Sequence, residues 1–235
     1  MKKMMLILAA CTIGFAANAS DWRSQVDVNS ADLSKFTMVM INAGKEAGGM
    51  TYGWHKEGDT YVVADRSEMQ PNILETAKGV IDAKTLLPKS VVIDFAMGDD
   101  KMDFDFSWDK NKRTGTVKTL RGGKANTHNI DTAEEFGAPL RLAVIGMVAA
   151  FPVTETFEAN LPWFNTLANK VEMITLKATG SETVEAPAGT FDTYKVAIQG
   201  GTPENVVYVT KSLPRKIVRI DVVGQPMHFL RNKDS

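Results

Sequence analysis

The sequence predicts a mainly β protein, built as one antiparallel sheet with a single apolar helix packed against it. Residues 101–108 alternate between polar side chains and bulky apolar ones, as in an antiparallel strand with one buried face. The apolar side chains in this run are Met102, Phe104, Phe106 and Trp108. Short turns such as Gly58-Asp59 separate runs of β-branched and aromatic residues, which is typical of hairpins. The combination favours consecutive hairpins over alternating strands and helices.

The N-terminal half supplies most of the predicted strands. A short lead precedes them, and they are separated by glycine-containing turns. The predicted strands are 36–41, 50–55, 60–65, 79–82, 89–97, 101–108 and 116–120. Two polar stretches, 67–76 and 124–137, lack this pattern and are predicted to be loops.

One apolar segment, Pro139 to Phe151, is predicted to be the helix. Pro139 suits a first helical position and Pro152 ends the segment. Its apolar residues occur nearly all round the helix, so we expect it to be buried against the sheet. Further strands are predicted after it, at 154–157, 171–178, 191–199, 205–210 and 216–223. A turn at Pro187 to Gly189 connects two of them.

Two corners of the chain resemble each other. Leu87-Pro88-Lys89-Ser90-Val91 is similar to Leu213-Pro214-Arg215-Lys216-Ile217, and each corner leads into a strand. A repeated hairpin corner indicates a long meandering antiparallel sheet. No linker or charge block divides residues 20–235, so we expect them to form a single domain.

Residues 1–19 have the form of an export signal. Lys2 and Lys3 precede an apolar run, and small residues before Ser20 predict cleavage between Ala19 and Ser20. The apolar run is too short for a permanent membrane helix. We therefore expect a periplasmic protein of a Gram-negative-type envelope, with no integral membrane segment in the mature chain.

Cys11 leaves a second interpretation of the N-terminus open. The sequence Leu8-Ala9-Ala10-Cys11 resembles a lipoprotein box, in which Cys11 would carry a lipid anchor. Cleavage at Ala19 instead removes Cys11, the only cysteine of the chain. The mature chain would then have no disulfide and no thiolate ligand for a metal.

Charge argues against nucleic acid as a partner. The formal net charge changes from −1 to −3 when the signal is removed, because two lysines are lost with it. A mildly acidic chain lacks the basic footprint of a nucleic-acid-binding domain. A lipid or other amphiphile, or an envelope protein, remains a candidate partner.

A resemblance to a known family is based on two stretches. Residues 186–196, A-P-A-G-T-F-D-T-Y-K-V, and the later L-P-R-K-I-V-R-I from Leu213 resemble an exported bacterial family of unknown function. That family is similar to the half-barrel superfamily of periplasmic lipoprotein carriers. The resemblance implies a strongly curved antiparallel sheet whose concave face holds the helix or an apolar ligand. It implies no catalytic residues.

No established catalytic or metal-binding motif is found. His55, His128 and His228 lack the short spacings of zinc sites. The run from Asp103 to Asp109 begins like an EF-hand, but Trp108 replaces the required glycine, so it is interpreted as the solvated face of a strand. We expect no metal site, no cofactor and no enzymatic activity. A cofactorless enzyme that uses His55 or a carboxylate pair is kept as an alternative.

The remaining candidates are aromatic residues that could line a concave pocket, since ligand sites are mostly apolar. They are Trp54, Tyr61, Phe104, Phe106, Trp108, Phe151 and Trp163. We expect an envelope protein that binds an apolar or amphiphilic ligand in the concave face of the sheet. The alternative is a protein-interaction or scaffold protein whose own helix fills that face.

Overall fold

A computed structural model describes residues 21–110, 112–133 and 137–233. The predicted export signal, its cleavage site at Ala19-Ser20 and Cys11 lie outside the described residues.

The described chain contains fourteen strands, one α-helix and two short 3-10 helices. The 3-10 helices are Trp22–Gln25 and Val28–Ser30. The strands before the α-helix are β1 Phe36–Asn42, β2 Lys45–Glu57, β3 Thr60–Met69, β4 Ile73–Asp82, β5 Pro88–Met97, β6 Asp100–Asp109, β7 Lys112–Arg121 and β8 Lys124–Ala133. The helix α1, Arg141–Ala150, is followed by β9 Glu158–Asn165, β10 Lys170–Ala186, β11 Gly189–Gln199, β12 Asn205–Thr210, β13 Ile217–Val222 and β14 Met227–Arg231.

All fourteen strands belong to one antiparallel sheet. Its order is β8-β7-β6-β5-β4-β3-β2-β1-β14-β13-β12-β11-β10-β9. Nearly every strand pairs with its neighbour in sequence, and the pairing of β1 with β14 joins the two halves of the chain. The predicted mainly β fold and its meandering antiparallel sheet are confirmed.

The sheet is not flat. Phe106 of β6 and Phe164 of β9 lie with ring centroids 5.9 Å apart, although eleven strand spacings separate the two strands in the sheet. In a flat sheet they would be about 50 Å apart. Strands β8 and β9 form the two edges and do not pair with each other, so the sheet is open.

The helix α1 packs against strands from both halves of the sheet. It contacts β3 and β4 from one half of the sheet, and β9 and β12 from the other. Most of its side chains are fully buried, as expected for a helix that is apolar nearly all round. The predicted apolar helix is confirmed, with one correction of its start: Leu140 is the N-cap, so Pro139 lies before the first helical residue.

Several predicted boundaries are wrong. Residues 67–76 are not a loop, because β3 continues to Met69 and β4 begins at Ile73. Most of 124–137 is strand β8, which is exposed along nearly its whole length and so lacks an apolar face to reveal it. Residues 154–157 form no strand, while β9 and β14 were not predicted.

The solvated-strand interpretation of the acidic run is confirmed. Asp103 and Asp105 are exposed on the outward face of β6, opposite the buried Phe104 and Phe106. Among the described residues, no helix has the length and apolar character needed to cross a membrane.

Candidate functional site

A cavity of about 270 Å³ lies between the two halves of the sheet, beside the first turn of α1. One wall is formed by β2, β3 and β4, and the opposite wall by β12, β13 and β14. Most of its lining is apolar, including Met50, Met69, Ile145, Ile220, Met227 and Phe229. The space is comparable with the lower end of small-molecule pockets, and its mainly apolar wall is typical of them.

A cluster of ionisable side chains lines the same cavity. Asp65 of β3, Glu75 of β4 and Arg141 of α1 all contribute to its surface, together with the hydroxyl of Ser67. The strand register places them there, because Ser67 pairs directly with Glu75 and side chains two residues apart share a face. Asp65 therefore lies on the same inward side as Val63 and Ser67.

The surroundings raise the pKa of both carboxyl groups. Burial, reinforced by the nearby Glu75, raises the pKa of Asp65 from its ordinary value of 3.8 to about 7. The Ser67 hydroxyl donates to both carboxyl oxygens of Asp65, at 3.0 and 3.2 Å, and opposes this rise. Burial likewise raises the pKa of Glu75, and Arg141 opposes that shift. Such displaced values in a cleft are common at functional sites.

Arg141 is the cation of this cluster. Its guanidinium carbon lies 5.5 Å from the ring centroid of Trp163, within the range of a cation–π contact. Its Nε is buried and has no hydrogen-bond partner among the described residues. Burial lowers the pKa of Arg141, and the surrounding carboxyl groups of Glu75, Glu172 and Asp65 oppose that shift.

A hydrogen-bond chain fixes the start of α1 against the sheet. The indole nitrogen of Trp54 donates to the hydroxyl of Tyr52 at 2.8 Å, and that hydroxyl donates to the carbonyl of Leu142 at 2.8 Å. Gly146 allows this close approach, because a Cβ there would lie 2.6 Å from the Tyr52 hydroxyl and 2.7 Å from the Trp54 nitrogen. The chain holds the first turn of α1 in place, and with it Arg141.

A second polar network supports the wall on the side of β9 and β10. Trp163 donates from its indole nitrogen to Glu172 at 2.8 Å, and Asn165 donates to the same oxygen at 3.1 Å. Lys170 forms an ion pair with Glu172 at 3.0 Å. Burial alone would raise the pKa of Glu172, but these hydrogen bonds lower it overall. Glu172 is therefore a satisfied structural anion and holds the ring of Trp163 beside Arg141.

The structure places the seven aromatic candidates in the hydrophobic core, and none of them lines this cavity. Trp54, Phe104, Phe106, Phe151 and Trp163 are buried, and Tyr61 and Trp108 are partly buried against them. Trp54 and Trp163 nevertheless lie next to the cavity, through their contacts with Tyr52 and Arg141. That the seven aromatic side chains bind a ligand stays a prediction.

The histidine and metal candidates are not brought together. His55 is exposed on β2, where its Nε2 lies 2.8 Å from Glu57, and it does not line the cavity. Across the described residues, no three histidine, cysteine, aspartate or glutamate side chains are grouped closely enough to hold a metal ion.

The sequence prediction missed the residues that line the cavity. Asp65 and Ser67 continue the alternation that begins at Val63, so a charged residue at an inward position was a usable signal. That signal was lost because the stretch after Asp65 was assigned to a loop. The methionines of the lining carry no signal of their own, since methionine is an ordinary core residue.

Comparison with known proteins identifies a family but no characterised relative. No curated protein and no solved structure matches the chain. A family model described as "Protein of unknown function (DUF3108)" matches residues 35–231, which include all fourteen described strands and every residue that lines the cavity. The chain therefore belongs to this family of unknown function, DUF3108.

Proposed function

We propose that the protein binds an apolar or amphiphilic small molecule in the cavity between the two halves of the sheet. The observation that carries this proposal is the cavity itself, with a mainly apolar wall and a polar cluster beside the start of α1. The apolar wall suits the tail of an amphiphile, and the polar cluster suits its head. The helix α1 fills much of the interior but leaves this space beside it.

The apolar lining supports an occupant. The cavity opens to solvent, and most of its wall is apolar. A ligand that covers this wall removes apolar surface from water, which is favourable by about 25 cal/mol per Å².

The shape of the sheet supports the same proposal. The contact between β6 and β9 means that the sheet bends round its helix, and we interpret this bend as the strongly curved half-barrel of the lipoprotein-carrier-like superfamily. Together with the predicted export signal at residues 1–19, this proposal has the ligand bind in the periplasm. In this proposal the protein is a binding protein rather than an enzyme.

A second candidate, a cofactorless enzyme, is favoured by one observation. Asp65 and Glu75 line the cavity together, and the pKa of Asp65, at about 7, suits a general acid or base at neutral pH. The carboxyl pair would then act on the occupant of the cavity. If the protein is an enzyme, the variant Asp65→Asn should still bind the ligand but no longer convert it. A pure binding protein converts no ligand, with or without Asp65.

The test is mass spectrometry of small molecules extracted from natively purified protein. We expect an amphiphile at close to one molecule per chain, and its loss from Ala77→Phe, which places a large ring in the cavity. Ala64→Phe is the matched control, because Ala64 is exposed on the outward face of the adjacent strand β3. Wild-type protein that is empty and binds no neutral apolar dye, or an Ala77→Phe variant that retains its ligand, would contradict the proposal.

A further inference from the structure

Arg141 lines the cavity without a direct ion pair to a described carboxylate. Its buried Nε has no hydrogen-bond partner among the described residues. The carboxyl groups of Glu75, Glu172 and Asp65 act on its charge without touching it. Its guanidinium carbon lies 5.5 Å from the centre of the Trp163 ring. A guanidinium has five N–H donors in a fixed planar fork, so it can bind an anion that enters the cavity.

A buried cation without a partner is costly. Removing a charge from water carries a penalty of several kcal/mol, which is recovered only when an opposite charge and hydrogen bonds replace the lost water. A cation–π contact contributes about 0.5–2 kcal/mol. The site at Arg141 therefore lacks a direct ion pair, which an anionic ligand would supply.

The neighbouring carboxyl groups do not complete it. Asp65 accepts its hydrogen bonds from Ser67, and Glu172 is already paired with Lys170. Burial raises the pKa of both Asp65 and Glu75, so each tends toward the neutral carboxylic acid. A neutral carboxylic acid can donate a hydrogen bond to an anion that Arg141 holds.

We propose that the occupant of the cavity is a single-chain amphiphile with an anionic head, a carboxylate or a phosphate, bound by the guanidinium of Arg141. This inference rests on the proposed function and narrows it to one class of ligand. Carboxylate and phosphate match the guanidinium fork with two parallel hydrogen bonds. The apolar side chains of Met50, Met69 and Met227 would surround the tail.

The size of the cavity favours a single-chain ligand. At about 270 Å³ it lies near the lower end of small-molecule pockets. Amphiphiles with one ten-carbon chain are therefore suitable probes of this class.

Binding of such a head is coupled to protons. The ionisable groups that face the head are Tyr52 of β2, Asp65 of β3, Glu75 of β4, Arg141 of α1 and Glu172 of β10. Of these, Asp65 changes its charge nearest to neutral pH, and an anion beside it favours its protonated form. We therefore expect the affinity for a carboxylate amphiphile, whose own charge is constant in this range, to be higher at pH 6 than at pH 8.

The test compares four probes with the same ten-carbon chain: decanoate, decyl phosphate, decanol and decyltrimethylammonium. Affinities are measured by calorimetry for wild type, Arg141→Met and Arg141→Lys. Arg66→Met is the control, because Arg66 is exposed on the outward face of β3, next to Asp65 in sequence. Thermal unfolding of each variant checks that the fold is retained.

We expect the loss of affinity in Arg141→Met to depend on the charge of the probe. Decanoate or decyl phosphate binds wild type more tightly than decanol does, and Arg141→Met lowers that affinity about 10- to 100-fold. Decanol changes less than about 3-fold, Arg141→Lys retains part of the preference, and Arg66→Met changes nothing. The two anionic probes distinguish a carboxylate site from a phosphate site.

Two other results would overturn the inference. Tighter binding of decyltrimethylammonium than of either anion would show that the carboxyl groups select a cation. Equal losses for decanoate and decanol in Arg141→Met would show that Arg141 only supports the fold. In both cases the proposed binding function survives, whereas failure of all four probes to bind wild type would overturn the function and this inference together.

Discussion

Replacing Asp65 by asparagine tests the ionisable cluster without any knowledge of the ligand. Asparagine has nearly the same shape and keeps a carbonyl oxygen that can accept a hydrogen bond from Ser67, whose hydroxyl now donates to Asp65 at 3.0 Å. The substitution removes only the capacity to ionise. Its effect on stability should therefore depend on pH in a way that follows from the pKa of Asp65.

The sign and the size follow from the raised pKa. In the folded protein burial raises the pKa of Asp65 to about 7, from the value of 3.8 that applies in the unfolded chain. Between these values the folded state holds a proton that the unfolded state has lost, so stability falls as the pH rises through this window. A shift of about 3 units corresponds to about 4 kcal/mol between pH 4 and pH 7.

Wild type should lose this stability with rising pH, while Asp65→Asn should not. The difference in unfolding free energy between the two proteins, measured by urea denaturation, should therefore grow by about 4 kcal/mol in favour of the variant from pH 4 to pH 8. Asp103→Asn is the control, because Asp103 is exposed on the outward face of β6, and it should change stability by less than about 0.5 kcal/mol. A difference for Asp65→Asn that stays constant with pH would refute the argument.

Three further predictions concern the packing that positions the cavity. Gly146→Ala should destabilise the protein by about 1–3 kcal/mol despite the better helix propensity of alanine, because its Cβ would lie 2.6 Å from the Tyr52 hydroxyl. Tyr52→Phe should cost about 1–3 kcal/mol, since it removes the acceptor for Trp54 and the bond to Leu142. Phe106→Ala should cost about 3–5 kcal/mol, because its fully buried ring packs against β9.

Chemical denaturation measures all three free energies. Unchanged or increased stability of Gly146→Ala would mean that the helix can move away from Tyr52 at no cost. A neutral Tyr52→Phe would mean that water or another group serves the indole of Trp54. A loss below about 1 kcal/mol for Phe106→Ala would contradict the contact between the two ends of the sheet, and Val92→Ala, on the exposed face of β5, provides the baseline.

Strands with one clearly apolar face were predictable from the sequence. The alternation in 101–108 gave β6 to within a residue at each end, and residues 205–210 match β12. Periodicity is informative in these strands because one face is buried against the core and the other faces water. The apolar helix was predictable for a related reason, since most of its surface is buried.

Strands β8 and β9 were not predicted, and each lacks a clear signal in the sequence for its own reason. Strand β8 is exposed on both faces, so its sequence carries no buried stripe. Strand β9 contains Pro162, which normally argues against a strand but is tolerated at the edge of a sheet. Its edge position depends on the pairing of distant strands, which periodicity does not reveal.

The cavity was missed because its residues interrupt the pattern that identifies strands. Asp65, Ser67 and Glu75 lie at inward positions of β3 and β4, where an apolar residue is expected. Residues 67–76 were therefore assigned to a loop, and Asp65 was left at the end of a predicted strand. The aromatic candidates were chosen by size, and large aromatic side chains are also the most effective core fillers. A polar residue at an inward position of a strand is therefore a better indicator of a site than a large aromatic residue.

The most direct test of the central claim is an NMR titration of protein labelled with ¹³C at its methionine methyl groups. Met50, Met69 and Met227 line the cavity, whereas Met97 and Met173 are exposed elsewhere and serve as internal controls. On addition of decanoate, with decanol as the neutral comparison, the account predicts shifts of the three cavity methyl signals that saturate together at one ligand per chain, with the two exposed signals unmoved. Shifts confined to Met97 and Met173, or no saturable shift of the cavity methionines with either probe, would contradict it.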